Sequence, residues 1–150
     1  HPMAAGVSLK AADVSAFKDC YLESLKKLYP VGLPEPSLLI STWLDYTDLG
    51  DRLLEELDRL HPFGQGNAEP IFGLRGIVLD EAPQTFGEGN FRFRMPASPE
   101  ARRGIAGIAW RLGTAPEAGE KVDMAIRFSW NYWRDSRNPQ VTLVDWKPSE

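Results

Sequence analysis

The sequence predicts a mainly β protein with some α-helix, namely a small antiparallel β-barrel preceded by one or two helices. Three observations support this prediction. After residue 70, apolar and polar residues alternate in several stretches, which is the period of strands with one buried face. Before residue 61, apolar residues recur every three or four positions, as on an amphipathic helix. Twelve prolines and 13 glycines supply turns between short elements, and 150 residues suffice for one domain, or one domain plus a fragment of another.

The first helix is predicted from Asp13 to Tyr29. Asp13 can cap its start and Pro30 stops it. One apolar face is expected from residues spaced three or four apart, which are Val14, Phe17, Tyr21, Leu25 and Leu28. The following segment VGLPEPS, residues 31–37, has two prolines and a glycine and no periodicity, so it predicts a linker or domain boundary. A short strand within LLISTWLDY comes next.

A second, connecting helix is predicted over residues 48–60. Thr47 or Asp48 can cap it, and one face repeats leucine at positions 49, 53, 57 and 60. The helix ends at the segment RLHPFGQGNAEPIF, residues 59–72. Pro62 cannot continue the hydrogen-bond ladder, and Gly64 and Gly66 permit the left-handed conformations that reverse a chain.

About five strands are predicted beyond residue 70. In one, Phe91, Phe93 and Met95 alternate with Arg92 and Arg94. In a longer one, the core-facing series is Val122, Met124, Ile126, Phe128, Trp130 and Tyr132. The alternate positions of the same strand include Arg127, Asn131 and Trp133. Its second face is therefore predicted to be polar and to carry arginine, asparagine and an aromatic residue. The segments IAGIAWRL and PQVTLVDW complete the set, which is typical of a small barrel.

The charge of the chain is polarised. The net charge is −4, but residues 90–137 carry nine Lys and Arg against five Asp and Glu, and eight of those nine cations are arginine. Arginine pairs with phosphate bidentately and stacks on bases, so this segment is a candidate for binding a polyanion. The single cysteine, Cys20, excludes an internal disulfide and favours an intracellular protein. No 18-residue apolar run or signal-peptide pattern occurs, so we expect no membrane association.

The residue types that carry catalysis are sparse. His1 and His61 are the two histidines, they have no metal-ligand spacing, and no acidic cluster of the Asp-x-Asp kind is present. No GxSxG elbow, Walker loop or dinucleotide-binding fingerprint occurs either. The sequence therefore predicts no metal site, no cofactor and no complete hydrolase site in this chain.

The segment LDRLHPFGQGNAEPIF resembles the Leu-x-Pro-Phe-Gly-x-Gly-Asn-x-Glu-Pro-x-Phe signature of RecJ-type single-stranded-DNA exonucleases, where it leads into an oligonucleotide-binding (OB) domain. The start, HPMAAGVSL, is similar to the end of the Gly-Gly-His-x-x-Ala-Ala-Gly motif in the domain that accompanies the DHH catalytic domain of that family. The tail NYWRDSRNPQVTLVDW resembles the family's Asn-x-x-x-Gly followed by Gln-Leu and a final Asp. Together these segments span nearly the whole chain.

The resemblance implies a C-terminal fragment of a longer protein. Residues 1–33 would be the remnant of the DHH-associated domain, a strand plus a helix, and residues 34–150 the OB-like domain with its connecting helix. The parent would be a cytoplasmic exonuclease of DNA repair and recombination that acts 5′ to 3′ with Mn²⁺ or Mg²⁺, whose DHH ligands are absent here. His1 would contact the scissile phosphate in that parent, and the alternative is a disordered terminus.

Eight residues are predicted to bind nucleic acid along the polar strand face. They are Arg92, Arg94, Arg111, Arg127, Asn131, Trp133, Arg134 and Arg137, with Trp133 or Tyr132 as a stacking platform for bases. The alternative is a solvated face whose arginines pair with Asp123, Asp135 and Asp145. For the corner, the backbone N–H groups around Gly64, Gly66 and Asn67 either form an anion-binding nest or build a rigid turn with Phe63 buried.

Two functions of different classes remain open at this point. The first is a module that binds single-stranded DNA and delivers it to a catalytic core. The second is a structural or interaction domain that packs on that core or docks another DNA-repair protein, with little affinity for DNA. The arginine-rich segment favours the first and the overall acidity favours the second. In either case we expect a monomer.

Overall fold

The computed structural model describes residues 4–134 and 136–150. Contacts between residues divide the chain into two compact units, one that ends at Leu38 and one from Leu39 to Glu150. The family signature, the arginine-rich segment and the predicted strands all belong to the second unit. The predicted assignment of residues 1–33 to a DHH-associated domain stays a prediction.

The first unit contains one helix, close to the predicted bounds. A 3-10 turn, Ala11–Asp13, leads into α1, Val14–Leu28. Asp13 occupies the N-cap position, but its side chain makes no capping hydrogen bond. The rings of Phe17 and Tyr21 stack one turn apart, with centroids separated by 6.1 Å, as the predicted apolar face requires. Neither α1 nor the helix of the second unit is long and apolar enough to cross a membrane.

The second unit is built on a seven-stranded sheet. The strands are β1 Thr42–Leu44, β2 Phe72–Val78, β3 Gln84–Phe86, β4 Asn90–Arg94, β5 Ala106–Ala109, β6 Lys121–Trp133 and β7 Ser136–Pro148, arranged in the order β1-β2-β6-β7-β5-β4-β3. Four of the six pairings are antiparallel, while β1 lies parallel to β2 and β5 parallel to β7. The mainly β architecture with preceding helices is the predicted one.

On β4 and in the first part of β6 the predicted apolar residues lie on a buried face, and the residues between them lie on the opposite face. Phe91 and Phe93 of β4 are buried and Arg92 and Arg94 are exposed. On β6, Val122, Met124, Ile126 and Phe128 are buried, but the predicted inner series ends there, because Trp130 is half-buried and Tyr132 exposed. The β6-β7 hairpin is therefore longer than the core it covers, and its tip has two accessible faces.

The connecting helix is shorter than predicted. A 3-10 turn, Tyr46–Asp48, comes first, and α2 runs from Asp51 to Asp58 with Gly50 at its N-cap. Thr47 and Asp48 thus do not cap α2. Instead, the Asp45 carboxylate accepts hydrogen bonds from the N–H and the hydroxyl of Thr47, at 2.9 and 2.8 Å. These hydrogen bonds lower the pKa of Asp45.

The buried face of α2 also differs from the leucine repeat that predicted it. Leu54 and Leu57 are buried, together with Leu49 from the turn before the helix. Leu53 is half-buried, and Leu60 is 53% exposed. The helix ends two residues before Leu60, so the helical period no longer applies at that position.

Candidate nucleic-acid interface

The register of the sheet places several of the predicted residues on its outer face. Arg92 and Arg94 of β4 lie opposite Ile108 and Ala106 of β5, which in turn pair with Thr142 and Gln140 of β7. The last two pair with Arg127 and Ser129 of β6. Since side chains alternate between faces along every strand, Asn131 and Trp133 of β6 share this face as well. One outer face therefore carries the arginines of β4 and the polar tip of β6.

A groove of about 640 Å³ crosses this outer face. We call it the arginine groove. Its lining comprises Glu81, Ala82, Gln84, Arg92, Phe93, Arg94, Ala106, Gly107, Ile108, Asn131, Trp133 and Gln140. Four of the eight predicted residues, Arg92, Arg94, Asn131 and Trp133, meet there although Asn131 is 37 positions after Arg94 in the chain. The groove contains two cations, one carboxylate and three side-chain amides.

The two arginines of the groove are held without being neutralised. The Cζ atom of Arg92 lies 4.7 Å from the centroid of the Phe86 ring. Arg94 donates from Nη1 to the carbonyl oxygens of Arg103 and Gly104, at 3.2 and 3.4 Å. Among the described residues neither guanidinium forms a salt bridge, so both charges remain available to an anion.

Trp133 supplies a broad apolar surface at one end of the groove. Its side chain is 67% exposed, and the Cζ atom of Arg134 lies 5.9 Å from its ring centroid. The Ser136 hydroxyl donates to the carbonyl oxygen of Trp133 at 2.9 Å, which links the start of β7 to the end of β6. An exposed indole next to cations is a suitable stacking surface for an unpaired base.

The other predicted residues lie outside the arginine groove. Arg127 shares the outer face, but its Nε atom lies 3.2 Å from the Glu69 carboxylate, which partly offsets the attraction of Arg127 for an anion. Arg137 lies on the opposite face of the hairpin, with its Cζ atom 4.5 Å from the centroid of Trp130. Arg134 and Arg111 both have positive φ, and the Arg111 N–H donates to the Asn90 side-chain oxygen. The predicted His1 contact lies outside the described residues.

The corner formed by residues 64–67 is a compact turn. The N–H groups of Gly64 and Asn67 donate to each other's carbonyl oxygens, at 2.9 and 3.1 Å. The Asn67 side-chain amide also donates to the carbonyl oxygens of Leu60 and Pro62, across a cis His61–Pro62 peptide bond. Both backbone amides are thus engaged within the loop, and this geometry favours a rigid turn over an anion nest.

Two expectations for the corner differ from the observed geometry. Gly66 has a φ of +84°, as the sequence predicts, whereas the φ of Gly64 lies outside the left-handed region. Phe63 is half-buried rather than buried, and its ring lies against that of His61 with centroids 4.3 Å apart.

Sequence reasoning missed three contributors to the interface. Gln84 and Gln140 line the arginine groove, and Phe86 supports Arg92. Gln140 occupies a polar position of the alternating segment PQVTLVDW, so that alternation was a signal for it. Gln84 and Phe86 belong to β3, which has three residues and is too short to show a period.

The described residues contain no group of three or more His, Cys, Asp or Glu side chains arranged to hold a metal ion. The acidic residues at the groove and the corner are single carboxylates, and the two-metal sites of nucleases require several. These residues do not fit a catalytic metal centre, and no hydrolytic step is assigned to them.

Comparisons with known proteins identify a consistent set of relatives. The family described as RecJ OB domain matches residues 40–145. The single-stranded-DNA-specific exonuclease RecJ of Thermus thermophilus is 31% identical over 151 residues, which span 100% of this chain and 21% of that protein. The protein of the same description from Bacillus subtilis is 25% identical over 157 residues, spanning 100% of this chain and 19% of its own length. The chain therefore spans about one fifth of these relatives.

Solved structures agree in fold. The crystal structure of RecJ in complex with Mn²⁺ from Thermus thermophilus superposes with a TM-score of 0.65 at 26% identity, covering 97% of this chain and 20% of that one. The corresponding structure in complex with Mg²⁺ gives a TM-score of 0.64 at 26% identity, covering 95% of this chain and 21% of that one.

Proposed function

This chain belongs to the RecJ OB domain family, and from that premise we propose that it is the single-stranded-DNA-binding module of a RecJ-like 5′-to-3′ exonuclease. Domains of the OB type hold oligonucleotides by a cationic groove that follows the backbone and by aromatic side chains that stack on bases. The arginine groove has both features, since Arg92 and Arg94 lie in it with Trp133.

The observation that carries the proposal is the convergence of Arg92, Arg94, Asn131 and Trp133 in one groove. Two guanidinium groups that form no salt bridge among the described residues supply the phosphate contacts, and the exposed indole supplies a base platform. The Asn131 amide adds a donor and an acceptor for base edges or sugars. A single strand presents its bases for stacking whereas a duplex does not, so this combination favours single-stranded DNA.

The remaining parts of the proposal concern the longer parent protein. The relatives span about five times the length of this chain, and two of their structures contain Mn²⁺ or Mg²⁺. We infer that the parent hydrolyses DNA with such a metal in the cytoplasm, in DNA repair and recombination, through residues outside this chain. We also infer that residues 1–33 continue its DHH-associated domain, that His1 contacts the scissile phosphate, and that the parent is a monomer.

A second candidate function is an interaction domain that packs on the catalytic core or docks another repair protein. The net charge of −4 favours this alternative, because an acidic protein as a whole repels the phosphates of DNA. Only a local excess of cations could attract them. Under this alternative the arginine groove would show no preference between single-stranded and duplex DNA.

A fluorescence anisotropy titration tests the proposal directly. The 150-residue chain is titrated into a labelled single-stranded oligonucleotide and, separately, into the same oligonucleotide annealed to its complement. We expect clear binding of the single strand and weaker binding of the duplex. Equal and weak binding of both would support the interaction domain instead.

A further inference from the structure

A second concavity, of about 400 Å³, lies between the end of α2, the corner and β6, where Phe128, Trp130 and Tyr132 line it from the face opposite to the arginine groove and Ser129 lines it from the groove face. We call it the α2 cleft. Its floor is apolar and is formed by Leu54, Leu57 and Phe128. It shares no residue with the arginine groove, and the proposed DNA-binding function does not use it.

Aromatic rings form the walls of the α2 cleft. The tilted rings of His61 and Phe63 lie in contact on the side of the corner, and Trp130 and Tyr132 line the side of the hairpin. Trp130 already forms a cation–π contact within the chain, because the Cζ atom of Arg137 lies 4.5 Å from its ring centroid. Tyr132 is 70% exposed, so its ring is accessible to a ligand. Such rings attract cations through their negative faces.

The charged side chains that line the α2 cleft are acidic, and two arginines border it: Arg127, which pairs with Glu69, and Arg137, which lies over Trp130. The cleft lining contains the carboxylates of Asp58 and Glu69, and it contains no lysine or arginine. Glu69 is paired with Arg127, whereas Asp58 has no salt-bridge partner among the described residues. The Asp58 Oδ2 atom accepts a hydrogen bond of 3.1 Å from Trp130 Nε1, which holds the carboxylate beside the indole. A fixed carboxylate next to an aromatic wall favours a cation and repels phosphate.

We propose that the α2 cleft is a docking site for a partner protein that inserts an arginine or lysine side chain next to an aliphatic one. The aliphatic side chain packs on the floor formed by Leu57 and Phe128. The cationic head lies over the exposed ring of Tyr132, since Arg137 already covers Trp130, and it pairs with Asp58. The module then has two separate surfaces, since anions are favoured at the arginine groove and cations at the α2 cleft.

A dipeptide probe tests this assignment in the 150-residue chain. The probe is acetyl-Leu-Arg-amide, and its matched control is acetyl-Leu-citrulline-amide, which keeps the shape of arginine without the charge. The indole N–H resonance of Trp130, assigned with Trp130→Phe, is followed by ¹H–¹⁵N NMR. We expect the arginine probe to shift this resonance and to bind about two- to fivefold more tightly than the citrulline probe, the range of an exposed ion pair.

Two variants locate the charge that recognises the probe. Asp58→Asn keeps an oxygen acceptor for Trp130 Nε1, and it should abolish the preference for arginine over citrulline. Glu55→Gln removes a carboxylate one turn earlier on α2, outside the cleft lining, and it should retain the preference. Equal binding of the two probes to the unaltered chain, or a preference that survives Asp58→Asn, would overturn the proposal. So would displacement of the arginine probe by an oligothymidylate that shifts the Trp130 resonance, because the cleft would then hold bases.

Discussion

The guanidinium group of Arg92 lies over the ring of Phe86, with its Cζ atom 4.7 Å from the ring centroid. The two residues come from adjacent strands of the sheet, β4 and β3. Stacking on an aromatic face leaves the five N–H donors of arginine pointing outward around the edge of the plane. Arg92 is therefore restrained at the arginine groove, and because no described carboxylate forms a salt bridge with it, its N–H groups are available to phosphate oxygens.

Loss of the two groove arginines should reduce the salt dependence of DNA binding. Each arginine that neutralises a phosphate of a single strand contributes about 0.7 to the slope of log affinity against log salt. We expect Arg92→Ala combined with Arg94→Ala to flatten that slope by about 1.4, measured by anisotropy titrations across a salt series.

The matched control for this experiment is Arg52→Ala combined with Arg59→Ala. These changes remove the same charge at α2, outside the arginine groove. The control should leave the slope nearly unaltered. An equal change of slope in both double variants would mean that only net charge matters.

The tip of the hairpin offers a second comparison, between Trp133 and Tyr132. Both are exposed, 67% and 70%, but they lie on opposite faces of β6. Trp133→Ala should weaken single-strand binding by about 1 to 3 kcal/mol with little change of salt slope, because stacking releases no counterions. Tyr132→Ala should leave the affinity unaltered. Titrations at one salt concentration decide this, and a larger loss with Tyr132→Ala would place the DNA on the other face.

Most of the correct predictions came from two features of the sequence, the alternation of apolar and polar residues in strands and the segment that resembles the RecJ signature. Phe91, Phe93 and the apolar side chains in the first part of β6 are buried as predicted. In a strand, alternate side chains point to the same face, so alternating apolar residues indicate which face packs on the core. The resemblance to RecJ-type proteins is confirmed by the family match over residues 40–145. It depended on a dozen ordered positions around the corner, which few unrelated chains would share.

The features that could not be predicted depend on competition between alternative local hydrogen bonds and on contacts between strands that are distant in the sequence. Thr47 can cap a helix, but its N–H and hydroxyl bind Asp45 in a 3-10 turn, and sequence does not separate these outcomes. The arginines of residues 90–137 look alike in sequence. Only the register of β6 and β7 shows that Arg137 stacks on Trp130 on the face opposite to Asn131 and Trp133.

A third prediction concerns catalysis. The chain alone should not degrade DNA in the presence of Mg²⁺ or Mn²⁺, because its described residues provide no carboxylate-rich cage for two metal ions. A gel assay with labelled single-stranded DNA measures this. Nuclease activity that co-purifies with the chain and disappears on substitution of its own residues would contradict the prediction.

The two glycines of the corner should respond differently to an added Cβ. Gly66 has a φ of +84°, where an L side chain is strained, so Gly66→Ala should lower the free energy of unfolding by about 1 kcal/mol. Gly64 lies outside the left-handed region, and a Cβ added there would meet no atom within 4 Å, so Gly64→Ala should be neutral or slightly stabilising. Urea unfolding of both variants gives the comparison, and equal losses would show that φ is not the determining factor.

The last prediction concerns the pH dependence of stability, through Asp123. Its Oδ1 atom accepts a hydrogen bond of 3.0 Å from the N–H of Gly76, and this bond lowers the pKa of Asp123 below its ordinary value of 3.8. A carboxyl group with a lowered pKa in the folded state stabilises that state above the unfolded pKa, and the contribution is lost as pH falls through the folded pKa. We therefore expect the chain to be more stable than its Asp123→Asn variant at pH 6, and the difference to shrink below about pH 3.8. Urea unfolding at a series of pH values measures the difference, with Asp80→Asn as the control because the described residues provide no hydrogen-bond donor to the Asp80 carboxylate. A difference that stays constant from pH 6 to pH 3 would show that the ionised form of Asp123 is not favoured by folding.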